Sequence, residues 1–409
     1  MLREERQLAL VHGRIALPDR IVEGSSLVIE GPRILGLARE DELGTGIERL
    51  DVGGRLIAPG LVDIHIHGAL GHAFDETSEE AWKAITGENA RRGVTSLLAT
   101  LVAAPLPRLM ESLAFAREWL LREEGRGAGA RPGSGSQVLG LHLESPYISP
   151  SQCGALDPSS LRLPGDGSVP SILEFSDILK IVVLAPELPG ALALVRSLAQ
   201  AGILPAAGHS SARDGDVRAA MEAGLGHVTH IWSAMSSVVR EGPWRRPGLL
   251  EAALAFEGLS VEMIADNRHL PPTLMKLAWK CLGPDRLCAI SDASSGAGLP
   301  EGSVYSLGAM SYEVRDGVGQ SLDRSFFGGS TTLLNQELPI LTGLVGIPLC
   351  EALRMASLTP ARVIGVAERK GSLEAGKDAD LAVFEDDFSA WRTMIGGAWL
   401  DTAARGGRR

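Results

Sequence analysis

The sequence predicts an α/β protein built on a (β/α)8 barrel of the TIM type, joined to a small β-sheet domain assembled from both chain ends. Three observations predict it. Eight β-prone runs alternate with helical patterns through the middle of the chain, and both termini carry short strands punctuated by glycine turns. The chemistry-bearing residues cluster where the strand runs end. At 409 residues, a prior of roughly 150 residues per domain allows two or three domains, or one large barrel with an appendage.

Taken in order, the N-terminal runs 8–11, 27–30 and 34–38 are β-prone and separated by Gly13, by 24–26 and by Gly31 and Pro32. Strand candidates then follow at 61–65, 95–100, 138–143, 180–184, 204–208, 227–230, 261–265 and 287–291. Helix-like segments lie between most of them, at 79–92, 108–122, 189–201, 212–223 and 271–282. A doubly wound open sheet uses the same alternation, so strand counting leaves it open. The stretch 128–136 reads as a Gly/Ser-rich surface loop. Residues 303–329 break the rhythm, and the turn at Asp316–Gly317 predicts a β-hairpin inserted late in the barrel. Runs at 380–384 and 391–395 return to strand character. The expected division is 1–57 plus 370–409 for the terminal sheet domain and 58–369 for the barrel.

Composition bounds the function. Hydrophobic residues make up 45% of the chain, enough apolar surface to offset the entropy of ordering it, so disorder is excluded. Fifty carboxylates against 39 Lys and Arg give a net charge of −11, which argues against general nucleic-acid or anionic-membrane binding. A small anion held by a local arginine stays open. Residues 1–10 have no apolar core of the signal-peptide kind, and no run approaches the roughly 18 apolar residues of a membrane span. Cys153, Cys281, Cys288 and Cys350 show no metal or disulfide spacing. A reduced, soluble, cytoplasmic protein is expected.

His65 and His67 close the first strand run, Glu144 the third, His209 the fifth, His230 the sixth and Asp292 the eighth. In a barrel these ends meet on one face. A single histidine after an apolar strand is ordinarily a hydrogen-bonded structural residue, and HxH occurs by chance. Several such positions in register with strand ends point instead to a divalent-metal site of imidazoles and carboxylates. Asp292 reads as the proton shuttle, because a carboxylate beside an acidified water can take its proton and pass it to a leaving group. His12 and His72 read as surface or loop residues. His142 and His227 either point away from the site by strand alternation or support the ligands. Cys153 has no evident base partner and reads as incidental. Arg245 and Arg246, ahead of Pro247 and Gly248, are a solvated pair or a phosphate grip above the pocket.

The motifs PGLVDIHIHG (59–68), HLESPYISP (142–150), APE (185–187), GHSSA (208–212), THIWSAM (229–235), ADNRH (265–269), SDA (291–293) and GSLEAGKDADL (371–381) stand in this order along nearly the whole chain. Together they resemble the amidohydrolase superfamily, and within it the N-acetylglucosamine-6-phosphate deacetylases. The resemblance implies a metal-bearing barrel with a terminal sandwich. It makes Glu144, His209 and His230 the core metal ligands and His65 and His67 the pair supporting a second ion in members that retain one. Zinc is the first candidate, with iron, manganese or cobalt as other occupants. Asp292 matches the acid/base, and His269 matches a histidine that contacts substrate and polarises the acetyl carbonyl. Arg245 matches a phosphate-binding arginine that reaches the neighbouring subunit's site, which implies a homodimer.

The sequence departs from the family pattern where substrate is recognised. Ser145 replaces a glycine, Leu156 replaces a sugar-contacting histidine, and Asn267 stands where glycine is common. Ser233 and Ala234 occupy a motif that usually carries an amide near the phosphate. The implied activity is release of acetate from N-acetylglucosamine-6-phosphate, with a different N-acetyl sugar or N-acetyl amino acid as the alternative. A dihydroorotase- or hydantoinase-type hydrolase would need a modified lysine ending the fourth strand, and Lys180 opens it. An inactive binding homologue would need a broken ligand set, and the set is complete.

Overall fold

The computed structural model describes residues 7–125 and 135–400. Its centre is an eight-stranded parallel sheet: β1 (Leu61–Ile66), β2 (Val94–Val102), β3 (Gln137–Tyr147), β4 (Leu179–Leu184), β5 (Leu204–Ala207), β6 (His227–Val228), β7 (Ser260–Ile264) and β8 (Leu287–Ile290). Each strand pairs with its neighbours in sequence, and the order never reverses. A doubly wound sheet would show such a reversal. The ends also meet, since Asp292 N donates to His65 O at 2.9 Å and His67 N to Ala293 O at 2.8 Å. The barrel reading therefore holds over the open sheet.

The strands are apolar on both faces because helices cover them outside and side chains fill them inside. All nine residues of β2 are buried. The covering helices are α1 (Glu79–Arg91), α2 (Leu106–Gly125), α3 (Val169–Leu173), α4 (Ala191–Gln200), α5 (Asp214–Ala223), α6 (Leu249–Ala255) and α7 (Pro272–Leu282). Ser78 caps α1 by accepting from Ala81 N. That helix drives Trp82 fully inside, edge-on to Phe74 at 5.0 Å. The stretch between β3 and β4 holds only the five-residue α3 and two 3-10 turns, because prolines at 150, 158 and 164 interrupt any longer helix.

Two further sheets come from the chain ends. One orders Arg33–Arg39, Ser25–Glu30, Gln7–Val11 and Glu48–Asp51; the other joins Ala398–Trp399, Ala390–Ile395, Leu381–Phe384, Leu56–Pro59, Arg14–Ala16 and Ile21–Val22. Leu10, Ile29 and Ile34 from the first pack against Ile57, Leu381 and Met394 from the second. Phe384 crosses into the barrel's own core beside Gly93, where any side chain would meet its ring.

The late insertion is larger than a hairpin. Val304–Leu307, Met310–Arg315, Val318–Ser321 and Phe327–Ser330 make a four-stranded antiparallel sheet. Its central turn has φ of 54° at Asp316 and 71° at Gly317, the mirror-image turn expected for an Asp-Gly hairpin. A second unforeseen hairpin, Val239–Glu241 with Trp244–Arg246, follows β6. Of the expected loop at 128–136, residues 128–134 lie outside the described residues; Ser136 is buried and its hydroxyl donates to Val94 O at 2.6 Å. Among the described residues no helix is long and apolar enough to cross a membrane.

Candidate metal centre

Residues from five strand ends converge at the carboxyl face. Glu144 Oε1 lies 2.8 Å from His230 Nε2 and 2.9 Å from His209 Nε2, and the two nitrogens are 3.1 Å apart. The tautomer of His209 is set from behind: its Nδ1–H donates to Gln152 O at 2.8 Å, which leaves a lone pair on Nε2. At such separations a carboxylate oxygen and an imidazole nitrogen need positive charge between them, a second ring proton or a bound cation, and Glu144 raises the pKa of His209 against burial. An ion about 2.0–2.1 Å from each donor has donor–donor edges of about 3.3 Å, close to the spacings here. The donor set fits a divalent ion.

A second group adjoins the first. His65 Nε2 and His67 Nε2 are 3.3 Å apart. Asp292 Oδ1 lies 3.0 Å from His67 Nε2 and 3.4 Å from His65 Nε2. Glu144 faces both halves, its Oε2 being 3.4 Å from His67 Nε2. His65, His67 and Glu144 form one group able to hold an ion, and Glu144, His209 and His230 another.

All six side chains are buried, so charge is governed by neighbours. Burial alone would lower the pKa of His65. The carboxylates of Glu262, Glu144 and Asp292 outweigh it and raise that pKa well above the usual value. The same balance runs in reverse for the acids. Burial pushes Glu144 up, and His65 and His209 hold it well below the ordinary range. Asp292 is likewise lowered against burial by His65 and His67, so it is ionised at neutral pH. For Asp63 burial outweighs the hydrogen bonds from Ser291 and His65 N and the pull of the His65 ring, and pushes it up to about 6.

The rim carries the remaining expected residues. His269 Nδ1 lies 2.7 Å from Asp266 Oδ2, and its ring meets Phe327 edge-on at 5.0 Å. Burial lowers its pKa, but Asp266 and, more distantly, Asp292 bring a net rise. Ala234 O accepts from Ser210 N at 3.1 Å, and Ser233 N donates to His230 O at 3.0 Å, so both belong to the tight turn after β6. Leu156 is buried in an apolar cluster with Ile148, Tyr305 and Tyr312. The Arg245 hairpin is exposed along all six strand residues, with Arg245 opposite Arg240. Trp244 on the same hairpin is 67% exposed and Val238 beside it 48%.

Backbone strain concentrates here. Among the described residues eleven non-glycine residues have positive φ, and six of them frame this site: Ser145, His209, Trp232, Ala234, Asn267 and Asp292. Such conformations disfavour L side chains and gather at functional sites. Asn267, at φ 56°, is the residue type that best tolerates the left-handed region where glycine is otherwise used. Ser145, at 124°, has no such excuse and is fully buried. Gly208 and Gly329 are needed: a Cβ at Gly208 would fall 2.0 Å from Thr229 Cγ2, and Gly329 has φ of 72° with Asp292 O at 3.0 Å.

Two readings left open are decided in favour of support for the ligands, and one residue was missed. His142 does not point away from the site: it precedes Glu144 by two residues, so alternation puts both on the barrel's inner face, with its ring 4.1 Å from that of His65. His227 also points inward, its Nε2 3.1 Å from Glu262 Oε1. Glu262 itself went unread because it sits in the middle of β7, not at its end. The available signal was a lone carboxylate inside an otherwise apolar strand. His12 is exposed and His72 half-buried, as expected. Lys180 lies at the start of β4, away from the face where this centre forms.

The Amidohydrolase family matches residues 56–400. The N-acetylglucosamine-6-phosphate deacetylase of Bacillus subtilis (strain 168) is 33% identical over 344 residues, 84% of each chain. The N-acetylgalactosamine-6-phosphate deacetylase of Escherichia coli O157:H7 is 32% identical over 84% of this chain and 87% of its own. Among solved structures, the N-acetylglucosamine-6-phosphate deacetylase of Pasteurella multocida superposes with a TM-score of 0.88 at 27% identity, covering 96% of this chain and 99% of that one. The Mycobacterium smegmatis enzyme, in a variant solved in complex with N-acetyl-D-glucosamine-6-phosphate, gives 0.84 at 29% identity over 97% and 99%.

The shared position of Glu144 generates a test. Glu144→Gln removes the anionic donor common to both halves and should reduce retained divalent metal to below about a tenth of wild type, a drop at the lower bound for losing a ligand if even a supporting residue costs about 10-fold. Elemental analysis after dialysis measures it; unchanged content would contradict the assignment.

Proposed function

The chain belongs to the amidohydrolase family, and we propose that it hydrolyses the N-acetyl amide of N-acetylglucosamine-6-phosphate, giving acetate and glucosamine-6-phosphate. The observation that carries this reading is the convergence of Glu144, His209 and His230 with His65, His67 and Asp292 at one barrel face. Relatives named as deacetylases of phosphorylated amino sugars supply the substrate class. Glu144, His209 and His230 would hold one divalent ion, zinc first among candidates and iron, manganese or cobalt after it. His65 and His67 would support a second. Such an ion supplies Lewis acidity and lowers the pKa of water towards roughly 7.

The chain's own groups do the rest. Asp292 is ionised and faces the cluster, so it accepts the proton of the attacking water and returns it to the departing amine. His269 donates from Nε2 to the acetyl oxygen as negative charge develops there, while Asp266 holds its Nδ1. Phe327 closes one edge of that imidazole against water. Ser233 and Ala234 would line the sugar side. Arg245 would take the phosphate of a second subunit's substrate, with Trp244 and Val238 beside it as the apolar part of a homodimer contact. The two-domain division at 57/58 and 369/370, and a cytoplasmic location, complete the proposal.

A second reading has its own support. Leu156 offers no hydrogen bond where a sugar-contacting histidine is expected, and one relative of comparable identity is named for N-acetylgalactosamine-6-phosphate. A different N-acetyl sugar phosphate, or an N-acetyl amino acid, would then be the substrate. Acetate release compared across N-acetylglucosamine-6-phosphate, its unphosphorylated form, N-acetylgalactosamine-6-phosphate and N-acetyl amino acids separates them. The first reading expects the highest kcat/KM on N-acetylglucosamine-6-phosphate, and equal or better turnover of another would overturn its substrate half.

Asp292→Asn should leave metal content unchanged and reduce kcat by about 10²–10⁴; near-normal turnover would refute the proton-shuttle role. Asp266→Asn removes the carboxylate that raises His269. The imidazolium should therefore be lost at a lower pH, and the alkaline limb of the kcat/KM profile should move down. An unmoved limb would exclude His269 as the charged donor.

A further inference from the structure

Beneath the metal-facing cluster lies a polar network inside the barrel that the reaction does not use directly. Glu262, fully buried on β7, is its hub. Its Oε2 accepts from His65 Nδ1 at 2.9 Å, from the Thr229 hydroxyl and from His230 N at 3.3 Å. Its Oε1 accepts from His227 Nε2 at 3.1 Å and faces His142 Nε2 at 3.7 Å. A carboxylate buried this deeply is costly unless its oxygens are satisfied. Here they are satisfied by groups from β1 and β6, including two residues of the candidate metal centre.

We propose that Glu262 is a positioning residue that decides whether the His65/His67 half of the centre holds an ion. The proposal rests on the reading of that pair as metal donors. His65 has two ring nitrogens, and only one tautomer is useful. With Nδ1 held by Glu262, Nε2 is the nitrogen presented to the cluster, facing His67 Nε2 at 3.3 Å, Asp292 Oδ1 at 3.4 Å and Glu144 Oε1 at 3.7 Å. Without that carboxylate His65 Nδ1 keeps only the Thr229 hydroxyl at 3.1 Å, and the ring is less firmly held toward the second group of donors. The other half is held differently: His209 takes its orientation from Gln152 O, and Glu144 reaches it directly. Glu262 also accepts from His230, but only from its backbone N–H at 3.3 Å, so the one ligand ring it orients is that of His65.

Zinc binding by equilibrium dialysis against a competing chelator, with elemental analysis, tests this in wild type, His65→Ala, Glu262→Gln and Thr229→Val. Wild type should bind two zinc ions and His65→Ala one. Glu262→Gln should keep the first ion at wild-type affinity and bind the second about 10–100-fold more weakly, the usual effect of removing a group that orients a ligand. Thr229→Val, which removes the hydroxyl that contacts both Glu262 Oε2 and His65 Nδ1, should weaken only the second ion, and it carries the test if Glu262→Gln does not fold. A merely structural role for Glu262 would lower the melting temperature and leave both affinities alone. If His65→Ala loses the second ion while Glu262→Gln and Thr229→Val bind it as tightly as wild type, the positioning role is wrong. If wild type holds one ion, or His65→Ala still holds two, the donor reading beneath it fails and the proposal falls with it.

Discussion

The structure turns on one close approach: a carboxylate oxygen and two imidazole nitrogens within 3.1 Å of one another, out of water. Lone pairs in a low-dielectric pocket do not tolerate this spacing by themselves. Positive charge reconciles them, carried by ring protons or by a bound cation, and the surroundings are arranged to keep them in place. Gln152 fixes the ring of His209, Glu262 fixes that of His65, and the hydrogen bonds that close the barrel run through His65 O and His67 N. The barrel is completed where the site is assembled.

This arrangement demands unusual backbone. Side chains that must leave strand ends and turn inward are carried by residues in left-handed conformations, among them His209 and Asp292. Each is disfavoured by about 1–3 kcal/mol in isolation and persists only where surrounding structure over-determines it. Glycines take two close approaches beside the site, at Gly208 and Gly329. The apolar strands and the Trp82 and Phe384 contacts supply the rigid frame that holds such local strain.

Much of this was legible in the residues. Alternating runs gave all eight barrel strands to within a few positions, because fully buried parallel strands read as continuous apolar stretches. Strand-end histidines and carboxylates marked the site before any geometry, since barrel topology alone brings such ends together. Two kinds of feature were hidden. The four-stranded insertion and the Trp244–Arg246 hairpin depend on long-range pairing and exposed strands, which leave weak periodicity. Glu262, His142 and His227 act through contacts across strands, and their inward direction follows from a register that sequence spacing only half specifies. Leu156 belongs to the same kind: its apolar cluster is completed by Tyr305 and Tyr312 of the late insertion, a contact between segments far apart in sequence.

The central claim is that a divalent ion is held at this one place. Anomalous diffraction from zinc-loaded crystals, recorded across the zinc edge, tests it directly. The account predicts a strong peak about 2.0–2.1 Å from Glu144 Oε1, His209 Nε2 and His230 Nε2. An active, zinc-loaded protein whose anomalous density lies away from those three atoms would contradict it.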